Sequence, residues 1–188
     1  GCGKSTVTAV FAARGIPLAD ADQLSREILL PGSPLLPQLA ERFGADIIKE
    51  DGTLDRRMLA AIAFSDPKQT EKLGKLMFPP IRAELDLRIN AAEASGKRYI
   101  LLDAPTLSES GLDKICTRKI SVIAAEGIRR ERIIRRDGLT EEEATRRMSA
   151  QHPDAFYTVR SDFVLKNNGT QQELMEAGKN LAAQMIKV

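Results

Sequence analysis

The chain has 188 residues, 43% of them hydrophobic and 29% charged, which is enough to bury the core of one compact domain. A formal net charge of +2, from 28 Lys and Arg against 26 Asp and Glu, gives no excess that would mark a nucleic-acid binder, and Cys2 and Cys116 make neither a disulfide framework nor a metal-ligand spacing. No apolar run reaches membrane-spanning length and no signal peptide is visible, so a reducing cytoplasm is the expected setting.

At the start of the chain, Gly1-Cys2-Gly3-Lys4-Ser5-Thr6 leads into Val7, Val10 and Phe11, which share one face of a helix that Gly15 can end. Residues 16–20 read as a short strand, and Ala21-Asp22-Gln23 opens a second helix. Pro31-Gly32-Ser33-Pro34 breaks it, and Leu35, Leu39 and Phe43 resume at helical spacing up to Gly44. Asp66-Pro67-Lys68-Gln69 reads as a cap, a first-position proline and a capping-box glutamine. Pro79-Pro80 is expected to interrupt the helix that follows; Ile81, Leu85 and Ile89 resume it and Gly96 ends it. Strands are predicted at 99–105, 120–124 and 162–165, and capping boxes at Thr140 with Glu143 and Thr170 with Glu173.

Strand and helix alternate, and the strands are short apolar runs, as a parallel sheet covered on both faces requires. The helical stretch over 33–95 is too long for one crossover helix and is expected to protrude as an insertion on the substrate side.

Gly1-x-Gly3-Lys4-Ser5-Thr6 matches the second half of a P-loop. Glycines let backbone amides approach phosphates, and the following helix turns its positive end toward them. Lys4 would reach the β- and γ-phosphates and the Ser5 hydroxyl would hold Mg²⁺; the competing reading is a chance Gly-Lys-Ser-Thr before a surface helix. A P-loop follows a strand, so the first strand and the first glycine of the loop are expected to be missing from these 188 residues. Asp20 and Asp22 end the second strand, where ligands of parallel sheets bind, and either could orient a hydroxyl acceptor or merely cap the next helix.

Taken together, Gly1-Cys2-Gly3-Lys4-Ser5-Thr6-Val7, Asp20-Ala21-Asp22-Gln23-Leu24-Ser25-Arg26-Glu27 and Pro31-Gly32-Ser33-Pro34 resemble the dephospho-CoA kinase family. The resemblance continues in order through Phe43-Gly44, Asp51-Gly52-Thr53-Leu54-Asp55-Arg56, Pro79 with Ile81 and 103–111. It then takes in Arg136-Asp137-Gly138, Arg147, Gln151, Asp162-Phe163-Val164 and Asn167-Asn168-Gly169. It implies a three-layer P-loop kinase fold with a parallel sheet, a helical CoA-side domain over 31–96, a lid over 126–155, and a nucleotide-binding core made of 1–30, 97–125 and 156–188. It implies ATP-dependent phosphorylation of the ribose 3′-hydroxyl of dephospho-CoA, with Mg²⁺, in the cytoplasm, by a monomer or weak homo-oligomer with no nucleic-acid or membrane partner.

Carried over residue by residue, Asp22, Lys4 and Arg136 are catalytic. Gly1, Cys2, Gly3, Lys4, Ser5, Thr6, Arg147, Asn168 and Gly169 bind the nucleotide, with Ser5 on the metal. Asp20, Asp22, Arg26, Pro79, Ile81, Pro105, Leu107 and Glu109 bind the acceptor. Phe78, Thr106, Ser108 and Ser161 depart from the family pattern, the first three on the acceptor side.

Seven arginines lie between Arg129 and Arg147, interleaved with carboxylates. Arg132, Arg135 and Arg136 can bind phosphoryl oxygens or pair with Glu131, Glu141, Glu142 and Glu143. Asn167-Asn168-Gly169 can read an adenine edge, form a turn, or do both. The nearest alternative enzyme is a nucleoside or nucleoside-monophosphate kinase. A GTPase switch lacks its Asn-Lys-x-Asp signature, and His152 and Asp103 carry no assigned role.

Overall fold

In chain order the elements are α1 (Lys4–Ala12), β1 (Leu18–Asp20), α2 (Ala21–Glu27), α3 (Leu35–Phe43), α4 (Arg56–Ala63), α5 (Pro67–Ala94), β2 (Leu101–Asp103), β3 (Ile120–Ile123), α6 (Glu126–Asp137), α7 (Glu141–Ser149), α8 (Asp154–Thr158), β4 (Phe163–Lys166) and α9 (Gln171–Ile186). This computed structural model describes residues 1–186, and the chain divides into two compact units, Gly1–Ile16 with the chain from Gly111 onward, and Pro17–Ser110. The architecture is mixed α/β, and its parallel strands form two pairs, β1 with β2 in the second unit and β3 with β4 in the first. No helix among the described residues is long and apolar enough to cross a membrane.

In the first unit, Val7, Val10 and Phe11 are buried on one face of α1, as the helical period requires. They belong to the seam between α1 and α9, whose own buried residues include Leu174, Gly178, Leu181 and Ala182. At Gly178 a Cβ would stand 3.6 Å from Val10, an ordinary van der Waals contact, so the seam would accept an alanine there. Ile133 of α6 packs with Ala144 and Met148 of α7 in a smaller apolar cluster. Thr140 and Glu143 exchange side-chain and backbone bonds at the start of α7, and Thr170 and Glu173 do the same before α9. Strand β4 departs from the fully covered strand expected there: its residues alternate between half-buried and exposed, with Val164 37% exposed.

In the second unit, α2 to α5 all lie between β1 and β2 in sequence. Leu29, Leu36, Leu39, Phe43, Ile47, Leu54, Leu59, Ala63 and Met77 form one buried cluster, with Ile81 packed against it. Asp55 and Asp66 cap α4 and α5 by accepting from two backbone amides each. Gln69 does not complete the expected capping box; its Oε1 is buried with no partner. Nor do Pro79 and Pro80 break the helix, since α5 runs through both for 28 residues. Two prolines remove only two amide donors, those that would meet the carbonyls of Lys75 and Leu76, while the apolar face of Met77, Ile81 and Leu85 stays anchored. The strand predicted at 99–105 shortens to Leu101–Asp103 because only those residues pair with β1, Asp20 standing opposite Asp103.

Candidate active site

The residues expected to bind the nucleotide all lie in the first unit. Gly3 has φ 93°, and no side chain caps the N-terminus of α1 that follows it. The Thr6 and Val7 amides donate to the Gly3 carbonyl at 3.1 and 3.3 Å, and the helix start directs a partial positive charge toward an anion. Lys4 and Ser5 are exposed on that first turn.

The glycines are there for space as well as for backbone freedom. A Cβ on Gly1 would stand 2.8 Å from the Arg129 carbonyl oxygen, and one on Gly3 would stand 2.5 Å from Asn167 Nδ2 and 2.7 Å from Leu174 Cδ2. The loop is pressed against α6 on one side and against the β4–α9 turn on the other.

The arginines divide by partner. Arg136 places Nε and Nη2 on the two carboxylate oxygens of Asp137 at 2.7 and 2.8 Å, and Arg147 reaches the same carboxylate at 2.8 Å. The hydrogen bond from Arg136, reinforced by its charge and that of Arg147, holds the Asp137 carboxyl below the usual aspartate range. Arg130 pairs with Glu126 and Glu141, and Arg129 with Asp154 and Gln151.

Arg132, open in sequence between phosphoryl binding and pairing with a glutamate, shows no glutamate partner in its hydrogen bonds among the described residues. It donates to the carbonyls of Asn167 and Gly169 at 3.0 and 2.9 Å, because the β4–α9 turn presents those oxygens to it.

In the Asn167-Asn168-Gly169 turn each residue has a separate task. Asn167 is 6% exposed and donates from Nδ2 to the Cys2 carbonyl at 2.9 Å. Asn168 is exposed and accepts from the Ala125 amide at 2.8 Å. Gly169 leaves room for the Glu173 carboxylate, which a Cβ would meet at 2.0 Å.

The residues expected to bind the acceptor all lie in the second unit. Parallel pairing of β1 and β2 brings Asp20 and Asp103 to one edge, from which α2 and the segment 104–110 both emerge. Asp20 is the N-cap of α2, its Oδ1 accepting from the Asp22 and Gln23 amides at 2.9 and 3.0 Å. Asp22 is exposed on the first turn, with Arg26 one turn later on the same face. Pro105, Leu107 and Glu109 follow β2.

Pro79 and Ile81 are not on this edge segment. They sit midway along α5, Pro79 exposed and Ile81 packed on the helical core. Glu27 of α2 is bonded to Arg88 of α5, which Glu84 also holds at 3.3 Å.

One of the departures in sequence finds a local explanation, and one does not. Ser161 hydrogen-bonds Ser121 at 2.6 Å and the Tyr157 carbonyl at 3.0 Å, and Phe78 is half-buried on α5. His152 is stacked on Phe156 at 3.9 Å between ring centres.

Among the described residues, no three acidic, histidine or cysteine side chains gather tightly enough to hold a metal ion. A Mg²⁺ at Ser5 would therefore take few protein ligands and rely on phosphate oxygens, the usual manner for this cation. Ser5 fits that demand, being exposed on the uncapped first turn.

Comparison with known proteins supplies the relatives of this arrangement. The CoaE family model, dephospho-CoA kinase, matches residues 1–173. A dephospho-CoA kinase of Corynebacterium glutamicum is 40% identical over 186 residues, 99% of this chain and 93% of that protein. One of Shouchella clausii is 37% identical over 170 residues, 90% of this chain and 86% of that protein. Among solved structures, TT1252 from Thermus thermophilus superposes with a TM-score of 0.81 at 31% identity, over 97% of this chain and 92% of that one. A dephospho-CoA kinase from Campylobacter jejuni gives a TM-score of 0.71 at 23% identity over 100% and 93%, a likeness of fold alone.

Proposed function

We infer the chemistry from one premise: the chain belongs to the dephospho-CoA kinase family. It is a kinase of coenzyme A biosynthesis that phosphorylates dephospho-CoA, with ATP as the phosphoryl donor. The acceptor atom is the ribose 3′-hydroxyl, the position at which dephospho-CoA and CoA differ. Asp22 accepts the proton of that hydroxyl as its oxygen attacks the γ-phosphorus. Lys4, Thr6 and the loop amides of Gly1, Cys2 and Gly3 hold the phosphates, while Arg136 and Arg147 meet the charge that spreads over the phosphoryl oxygens.

Ser5 would hold Mg²⁺, which supplies charge neutralisation at the phosphate oxygens when bound. Asn168 and Gly169 border the adenine. Asp20, Arg26, Pro79, Ile81, Pro105, Leu107 and Glu109 orient the acceptor. The enzyme works in the cytoplasm as a monomer or weak homo-oligomer.

The reading is supported above all by the division of labour in the Asp20–Asp22 pair. Asp20 gives one oxygen to two backbone amides, whereas Asp22 keeps an exposed carboxylate at the same helix start.

Release of ADP, measured with dephospho-CoA and in parallel with nucleosides and nucleoside monophosphates, tests the acceptor; turnover confined to the latter would overturn it. Asp22→Asn should lower kcat roughly a hundredfold or more, the usual worth of a general base, with ATP binding retained. Near-normal turnover would remove Asp22 from the chemistry.

A further inference from the structure

The Cys2 carbonyl lies beside the phosphate loop, where an oxygen facing the cradle would repel an anion. It faces Asn167 Nδ2 instead, at 2.9 Å. In a trans peptide the C=O and the following N–H point in opposite directions. Turning the Cys2 oxygen toward Asn167 therefore aims the Gly3 amide away from Asn167. Asn167 is 6% exposed, the one buried polar residue among those described, so its donor has no water to fall back on.

The amide of Asn167 is itself oriented. Arg132 Nη2 lies 3.4 Å from Asn167 Oδ1 and 2.9 Å from the Gly169 carbonyl, and Arg132 Nη1 is 3.0 Å from the Asn167 carbonyl. A guanidinium on the oxygen side leaves the NH2 side for Cys2, which fixes one of the two possible flips. Gly3, with φ 93° and no room for a Cβ against Asn167 Nδ2, completes the contact.

We propose that Asn167 and Arg132 are positioning residues for phosphoryl transfer: Arg132 sets the orientation of the Asn167 amide, and Asn167 holds the Cys2 carbonyl so that the Gly3 amide serves the phosphates. Neither touches the nucleotide in this scheme. The inference rests on the reading of residues 1–6 as the phosphate cradle.

The test uses the full chain and calorimetric titration with the β,γ-imido analogue of ATP and, separately, with dephospho-CoA. Asn167→Leu removes the donor at similar size, and Asn167→Asp removes it while keeping an acceptor for Arg132. Both should weaken the ATP analogue about ten- to hundredfold, the cost of stranding a buried polar group, and leave dephospho-CoA affinity unchanged. Arg132→Gln should give a smaller loss of the same selectivity.

Weakening of both ligands together with a lowered Tm would mean a merely structural role and overturn the inference. Loss in Asn167→Asp alone would trace to added negative charge and overturn it as well. If Asn167→Leu does not fold, selective weakening by Arg132→Gln sustains the proposal, and unchanged ATP-analogue binding by it overturns it. Wild-type protein that fails to bind the analogue would overturn the cradle reading along with the inference; wild-type binding matched by Asn167→Leu would overturn the inference alone.

Discussion

Asp137 is the residue on which the arginine assignment turns. It engages the fork of Arg136 with both oxygens and one guanidinium nitrogen of Arg147, so two cations from α6 and α7 are gathered on one carboxylate. The carboxylate presents to Arg136 the paired oxygens that a phosphoryl group also presents, and to Arg147 a single oxygen. Asp137→Asn keeps the shape and weakens the hold on both. It should lower kcat/KM for ATP several-fold while the KM for dephospho-CoA stays unchanged, measured by ADP release with each substrate varied in turn. An unchanged kcat/KM for ATP would mean that Asp137 does not prepare these arginines. At this scale position alone leaves Asp20 and Asp22 open between orienting the acceptor and capping α2, because capping and exposure depend on which amides lie within reach, and only the family resemblance singles out Asp22. The sequence could not offer Asn167 as a tie to Cys2, since the two are 165 positions apart and only folding of β4 and α1 into one unit joins them.

Among the elements, helix starts were legible and helix continuity was not. The capping boxes at Thr140 and Thr170 are local patterns satisfied by residues three apart, and both form as read. Pro79-Pro80 carries an equally local signal, yet α5 passes through it, because burial of Met77 and Leu85 on either side outweighs two missing backbone bonds. The start of α9 matters for function, since the turn that holds Asn167 ends there. The Thr170 backbone amide, then its hydroxyl, hold the Glu173 carboxyl below the usual glutamate range. A carboxyl depressed in the folded state stabilises above its unfolded pKa, and that contribution is lost as pH falls through the depressed value. Glu173→Gln should therefore lower Tm at neutral pH, and the gap from wild type should close in acid as the wild-type carboxyl takes up its proton. A gap that persists unchanged into acid would show that charge at Glu173 contributes nothing to the cap.

At the scale of the whole chain, the assigned residues sort without exception. Gly1 to Thr6, Arg136, Arg147, Asn168 and Gly169 belong to the first unit; Asp20, Asp22, Arg26, Pro79, Ile81, Pro105, Leu107 and Glu109 belong to the second. Nothing in the order of the chain forces this, because the first unit takes its residues from both ends of the sequence and the second from the stretch between them. If nucleotide and acceptor are held by separately packed sets of side chains, a defect in one set should be silent toward the other ligand. Any ligand that binds only the folded state raises stability, by about 2.7 kcal/mol at a hundredfold excess over its Kd. Lys4→Ala removes one cation from the phosphate cradle and leaves every acceptor-side residue in place. Its Tm should no longer respond to the ATP analogue at concentrations that shift the wild type, while dephospho-CoA should shift both proteins equally. Loss of both shifts would mean that the two sets are not independent. Retention of both would mean that Lys4 does not hold the phosphates, and the assignment of the first unit to the nucleotide would fall with it.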